Sequence, residues 1–332
     1  LILWILVRKF DIVGLHVYMD DFFGWDFAEN LVMFHGRLRP RRQVLLLIFW
    51  DYIHCPYEDE KQDAGPCLKI IGFFINICAG TISITDDSIT ELIVQIQTFL
   101  NHSSRKPPLR QWMRLCGHIN WALNVLPWAR PALTELYSKI DNKTGMGSGV
   151  PLNVAVRESL TWLVETLPRS IGVRLLDDGL WPDSDADMVF WSDASKLGLS
   201  FVFAGNGFYY EIHADPEAPP VDIFFKELVA ILSATAFAAE LKHPPRRILL
   251  FTDSLDSVDA FNSLAVHNVS HNAPLFAVSA VVLRTGFDVR VRHIPGRDNI
   301  RADLLSRLLL DDFRLQFPSY RVRPFVPPRD LL

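Results

Sequence analysis

An aspartate set inside an apolar run is the feature that most narrows what this chain can build. MVFWSDAS begins at Met188 as a buried strand would, yet it carries Asp193. A carboxylate taken out of water is unfavourable unless its charge is compensated. The oddity recurs. RRILLF runs into Asp253 in FTDSLDS, Glu227 lies in the opening turns of FKELVAILSATAFAAELK, and Asp303 lies in NIRADLLSRLLL, ten residues after His293. Each acid alone reads equally well as a helix cap, turn former or surface residue. Four of them at the ends of neighbouring elements make sense if they share cations. Mg²⁺ prefers oxygen ligands and retains waters, and two such ions roughly 3.5–4 Å apart serve phosphodiester chemistry. Composition and spacing alone therefore reach metal-dependent phosphoryl chemistry and stop there.

The rest of the chain sets the frame. Its 332 residues suffice for two or three domains, and 49% hydrophobic with 21% charged residues is a globular composition. A net charge of −5 excludes gripping nucleic acid by bulk charge. Local basic clusters remain: RLRPRR (37–42), SRKPPLR (104–110), PPRR (244–247) and RVR (321–323). Four cysteines, Cys55, Cys67, Cys78 and Cys116, form no CxxC pair and read as free thiols, not as a zinc site. LILWIL and LLLIFW are too short to span a bilayer. The first residues read as the inside of a domain, so a fragment of something longer is expected, with no address signal to fix a compartment.

Punctuation divides the chain into 1–100, 101–180, 181–312 and a Pro- and Arg-rich tail, 313–332, expected to be an exposed linker. LLDDGLWPDSDAD (175–187) is the expected linker before the third part. That part reads as strand, strand, strand, helix, strand, helix, helix, strand, helix: a mixed five-stranded sheet with flanking helices, an α/β (α+β) arrangement.

WSDASKLGLSFVF, FKELVAILSA, LLFTDSLDSV and HIPGRDNIRADLLSR resemble the ribonuclease H domain of retroelements. The resemblance implies Asp193, Glu227, Asp253 and Asp303 as metal-binding catalytic acids, and His293 as a mobile helper in proton transfer or product release. It also implies two Mg²⁺ ions, replaceable by Mn²⁺, and an RNA–DNA hybrid as substrate. HVYMDDFFGWD (16–26) resembles the metal-binding hairpin of reverse transcriptases, which makes Asp20 and Asp21 candidate ligands. LKIIGFFIN resembles the strand pair that follows in that family, and residues 112–140 its thumb and connection. The whole, with the tail VRPFVPPRDLL, resembles retrotransposons of the DIRS kind.

One departure limits the carry-over. A polymerase of this family needs a further palm aspartate well before YMDD and fingers for the incoming nucleotide. Nineteen residues precede Asp20, and Asp11 is too close to serve. The expectation is a truncated palm that does not synthesise DNA by itself. The alternatives are a polymerase completed by a missing N-terminal part, with other retroelement proteins as partners, and an inactive nucleic-acid-binding remnant. Backbone grip on nucleic acid is expected from Lys196, Arg292 and Arg297, with Arg290 and Arg301 behind them.

Overall fold

The computed structural model describes residues 1–174, 181–213 and 221–328. The chain divides into two units, Leu1–Thr85 and Asp86–Leu332. Part of the expected linker, 175–180, and the last four residues of the tail lie outside the described residues.

In the first unit, α1 (Ile2–Lys9) precedes two hairpins, β1 (Leu15–Tyr18) with β2 (Asp21–Gly24), and β3 (Leu31–Phe34) with β4 (Arg37–Pro40). Then come α2 (Arg41–Tyr52) and an antiparallel meander of β5 (Cys67–Ile70), β6 (Phe73–Asn76) and β7 (Thr81–Ile84). Leu6, Ile12, Leu46, Leu47 and Trp50 form its buried cluster. Two of the four arginines in the basic run 37–42, Arg39 and Arg42, are engaged inside the unit, while Arg37 and Arg41 are exposed. Arg39, only 3% exposed, pairs with Asp59 at 2.9 Å and donates to the carbonyls of Gln62 and Asp59. Arg42 lies 4.3 Å from the Trp25 ring centre.

The second unit opens with four helices, α3 (Asp86–Leu100), α4 (Leu109–Ala122), α5 (Pro131–Ile140) and α6 (Val154–Thr166). Apolar residues at helical spacing supply their shared core: Trp112 is fully buried and meets Phe99 edge-on at 5.0 Å. The Asn153 side chain caps α6 by accepting from the Val156 amide. A two-residue strand, β8 (Val173–Arg174), follows.

Beyond it lies the larger sheet, built from β9 (Met188–Ala194), β10 (Gly198–Phe203), β11 (Asn206–Glu211), β12 (Arg247–Thr252), β13 (Asp288–His293) and β14 (Arg321–Pro324). Their spatial order is β13-β12-β9-β10-β11-β14. β9, β10 and β11 form the antiparallel meander expected from the sequence, while β12 joins β9 and β13 joins β12 in parallel. The Ala204–Gly205 tip between β10 and β11 has positive φ at both residues, as a tight primed turn requires. Alternation along β9 sends Phe190 to one face, against Leu228 and Ile231 of α7 (Ile223–Ala239) and Val278 of α9 (Asn272–Thr285). It sends Trp191 to the other, against Ala302 and Leu305 of α10 (Ile300–Ser306). α8 (Leu255–Ser263) completes the layer beside β12 and β13.

Four expectations are corrected here. The sheet has six strands, not five, because the tail is not an exposed linker. It forms α11 (Leu310–Gln316) and then β14, which runs parallel to β11. Phe313 is fully buried, and Phe325 packs 5.0 Å from Phe201, so the tail's few aromatics outweigh its linker-like composition. The expected closing helix NIRADLLSRLLL is shorter than read: α10 stops at Ser306, Leu308 takes a positive φ of 59°, and α11 begins only at Leu310. Residues 181–187, read as linker, are also built onto the sheet. Trp181 donates to Asp288 at 2.6 Å, and Asp187 accepts from the Arg246 and Arg247 amides.

Candidate metal centre

Three elements of the larger sheet deliver a carboxylate to one place. Asp193 comes from the last turn of pleat in β9, Asp253 follows the end of β12, and Glu227 projects from the second turn of α7. Each offers an oxygen, and the three oxygens lie within 4.8 Å of one another. The parallel register explains the first pair: Phe251 lies opposite Trp191, so both strands reach their acids two residues later, side by side. Helix α7 is pinned by Asp222, which caps it by accepting from the Phe225 amide at 2.8 Å and meets His271 at 2.8 Å.

Asp193 is 4% exposed and Glu227 5%. Burial pushes the Glu227 carboxyl up to about 9, with repulsion from Asp193 and Asp253 adding to it. Burial likewise raises Asp193 to about 7, the hydrogen bond from Ser306 pulling the other way and the charges of Asp253 and Asp303 adding to the rise. Partners hold these groups in place. Glu227 accepts from the Ala194 amide at 3.1 Å and from the Thr252 hydroxyl at 3.4 Å. Asp193 accepts from the fully buried Ser306 hydroxyl at 2.5 Å. Gly296 leaves room beside Asp253, since a Cβ there would come within 2.9 Å of its Oδ2.

The donor set fits a hard divalent cation. All three candidate ligands are carboxylates, the pattern that selects Mg²⁺ or Mn²⁺ over thiophilic metals, and their mutual repulsion is what a cation would relieve. It is the one cluster of this kind among the described residues.

The other candidates are placed as follows. Asp303 lies on α10 outside the trio and accepts from Arg307 at 2.6 Å. His293 ends β13 directly opposite Thr252 and is exposed, one residue's register from Asp253. Lys196 is exposed in the turn after Asp193. Arg292 and Arg297 are exposed, with long ion pairs to Asp183 (3.7 Å) and Asp298 (3.9 Å). Arg290 is engaged internally: it stacks 3.9 Å from the Trp181 ring centre and donates to the Trp181 carbonyl at 2.7 Å. Arg301 lies over Phe317 and Tyr320 at 5.3 and 5.6 Å. Asp20 and Asp21 are exposed at the β1–β2 tip, and no third carboxylate, histidine or cysteine among the described residues completes a cluster with them.

Sequence reasoning passed over Ser306, Thr252, Asn299 and Gly296. Asn299, 1% exposed, ties α10 to β9 by donating to the Ser192 carbonyl at 2.9 Å. The signal available was a polar residue standing in an apolar stretch, as Ser306 does in DLLSRLLL.

No protein-family model and no curated protein matches the chain. Solved structures do. One is the foamy viral protease–reverse transcriptase dRH in complex with double-stranded DNA, at 16% identity and TM-score 0.37 over 88% of this chain and 47% of that one. A second foamy viral protease–reverse transcriptase structure with double-stranded DNA gives 16%, 0.36, 87% and 56%. RNase H1 from the halophilic archaeon Halobacterium salinarum NRC-1 gives 22% identity and TM-score 0.30 over 38% of this chain and 98% of its own. The chain thus spans about half the length of the two viral proteins. No helix among the described residues is long and apolar enough to cross a membrane.

Proposed function

We propose that this chain is a ribonuclease H-type endonuclease of a retroelement, of the DIRS kind, acting on the RNA strand of RNA–DNA hybrids with two Mg²⁺ ions. The observation that carries the reading is the convergence of Asp193, Glu227 and Asp253 within 4.8 Å. The motifs around them, and HIPGRDNIRADLLSR, supply the family. When bound by these carboxylates, divalent cations supply charge neutralisation at a scissile phosphate and lower the pKa of an attacking water.

The chain's own residues do the rest. Thr252, Ser306 and the Ala194 amide hold the carboxylates in fixed orientations, so little rearrangement accompanies binding. Asp303 is the fourth acid at the site's border. His293, exposed at the end of β13, takes or gives a proton at an oxygen of substrate or product in this reading, supported by its register opposite Thr252, the residue before Asp253. Lys196, Arg292 and Arg297 meet backbone phosphates. Asp20 and Asp21 correspond to the acidic pair of a polymerase metal-binding hairpin, and no third carboxylate among the described residues joins them.

The test is Mg²⁺-dependent cleavage of a labelled RNA–DNA hybrid by the full chain beside Asp253→Asn. Cleavage by the wild type that the variant lacks is the expected result. A folded wild type inert at every Mg²⁺ and Mn²⁺ concentration would refute the nuclease and leave nucleic-acid binding as the function.

A further inference from the structure

The four acids assigned to one site are not equivalent. Three form the trio, Asp193 and Glu227 buried and Asp253 half-buried, whereas the fourth already has a cation. Arg307 Nε donates to Asp303 Oδ1 at 2.6 Å, from four residues further along α10. The guanidinium is within electrostatic reach of Asp193 and Asp253 as well. Ser306, the residue before Arg307, donates to Asp193 Oδ2 and so ties the end of α10 to the trio. The stretch DLLSR therefore addresses the site twice: a hydroxyl on the first acid and a guanidinium on the last.

Resting on the nuclease reading above, we propose that Arg307 is a built-in counter-cation that keeps Asp303 from a second divalent ion until substrate phosphate draws the guanidinium away. Three features support it. The ion pair is short and charge-assisted, so it competes for the same Asp303 oxygen a metal would use. It is also easily opened, because the Arg307 side chain is 59% exposed and Asp303 35%, and a pair so exposed is held weakly. Finally, guanidinium pairs with phosphate oxygens as readily as with carboxylate, which makes an arriving phosphodiester its natural competitor. In the free protein the trio then takes one ion, and Asp303 becomes available only as Arg307 changes partner. Arg307 is a positioning residue in this scheme, acting through Asp303.

The test is Mn²⁺ binding to the full chain without nucleic acid, followed by electron paramagnetic resonance and calorimetry, for wild type, R307Q, R307K, D303N/R307Q and D253N. R307Q is expected to bind a second ion about 1.5- to fivefold more tightly than wild type, the scale of one exposed charge pair. D303N/R307Q loses that gain and R307K stays near wild type. In hybrid cleavage, R307Q raises KM while its Mg²⁺ half-saturation moves less than the free protein's ion affinity, because substrate has already displaced the arginine in wild type. Identical ion binding by wild type and R307Q, with D253N still abolishing the first ion, overturns the inference and leaves the nuclease intact. So does a Mg²⁺ half-saturation that moves as far as the free protein's affinity. A wild type that binds no more Mn²⁺ than D253N overturns both. Arg307 lies at the surface, and thermal melts of each variant confirm that folding is unchanged.

Discussion

Two pairs of acids in this chain look alike on paper and differ in space. Asp20 and Asp21 adjoin in sequence, between apolar runs, and come to rest at an exposed hairpin tip. Asp193 and Asp253 are 60 residues apart and end side by side, with Glu227 above them. The first pair is solvated and needs no partner to be stable there. The second is held against its own repulsion by a packed sheet and by the Ser306 hydroxyl that donates to Asp193. Neighbouring in sequence did not make a cluster; the parallel register of β9 and β12 did.

The contrast can be broken or sharpened in four ways. The largest effect lies in the packing that supports the buried acids. Phe201 is 1% exposed and touches Phe190, Phe208, Phe237 and Phe325. Phe201→Ala should cost ~3–5 kcal/mol in urea unfolding, while Val17→Ala in the exposed hairpin stays within ~0.5 kcal/mol. Equal costs would mean the hairpin is as tightly supported as the sheet.

Next is pH. Because the folded protein raises Glu227 to about 9 and Asp193 to about 7, it retains protons that the unfolded chain releases above its ordinary carboxylate range. In EDTA, stability should therefore be full near pH 4 and fall as pH climbs through 7 to 9. Glu227→Gln should flatten the fall and exceed wild type at pH 9 by ~2–4 kcal/mol. A wild type whose stability rises over that window would contradict the burial that raises both carboxyls and the repulsion that adds to it.

A somewhat smaller effect comes from adding the cation back. Mg²⁺ at about 100 times its dissociation constant should stabilise the wild type by ~2.7 kcal/mol, read as a higher Tm. Asp253→Asn should lose the shift, and one that survived would place the ion elsewhere. The smallest effect is the mirror image: Asp20→Asn and Asp21→Asn should leave both Tm and the Mg²⁺ shift unchanged, within ~0.5 kcal/mol. If either removed part of the Mg²⁺ shift, the hairpin tip would be a cation site after all.

Much of the larger sheet was legible because its signals are local. MVFW, ILLF and FDVRV read as strands, the AGNG tip as a turn, and acids within apolar runs as anomalies in need of a cause. What escaped depends on contacts between distant segments. Nothing near Ser306 says that its hydroxyl meets a carboxylate 113 residues away. Arg290 and Arg301 carry the same charge as Arg292 and Arg297; only the positions of Trp181, Phe317 and Tyr320 separate the stacked pair from the exposed one. Asp303 was grouped with the trio by its motif, and its ion pair with Arg307 is a geometric detail no motif carries. The tail misled because proline and arginine dominate its composition, while Val322 and Phe325, which anchor it, are two residues among many.

That tail decides how the protein behaves toward copies of itself. With β14 in place, the sheet's border on that side is a four-residue strand bearing Arg321, Arg323 and Pro324, a short, charged and proline-bearing margin of the sort that resists pairing with a stranger. A chain cut at residue 312, where composition alone would place the domain's end, would instead present NGFYYE, six residues long and rich in aromatics, with its outward amides and carbonyls bare. The last strand thus covers an edge that would otherwise be open to pairing, and a shortened version should aggregate, read by light scattering, with Asp193, Glu227 and Asp253 still correctly arranged.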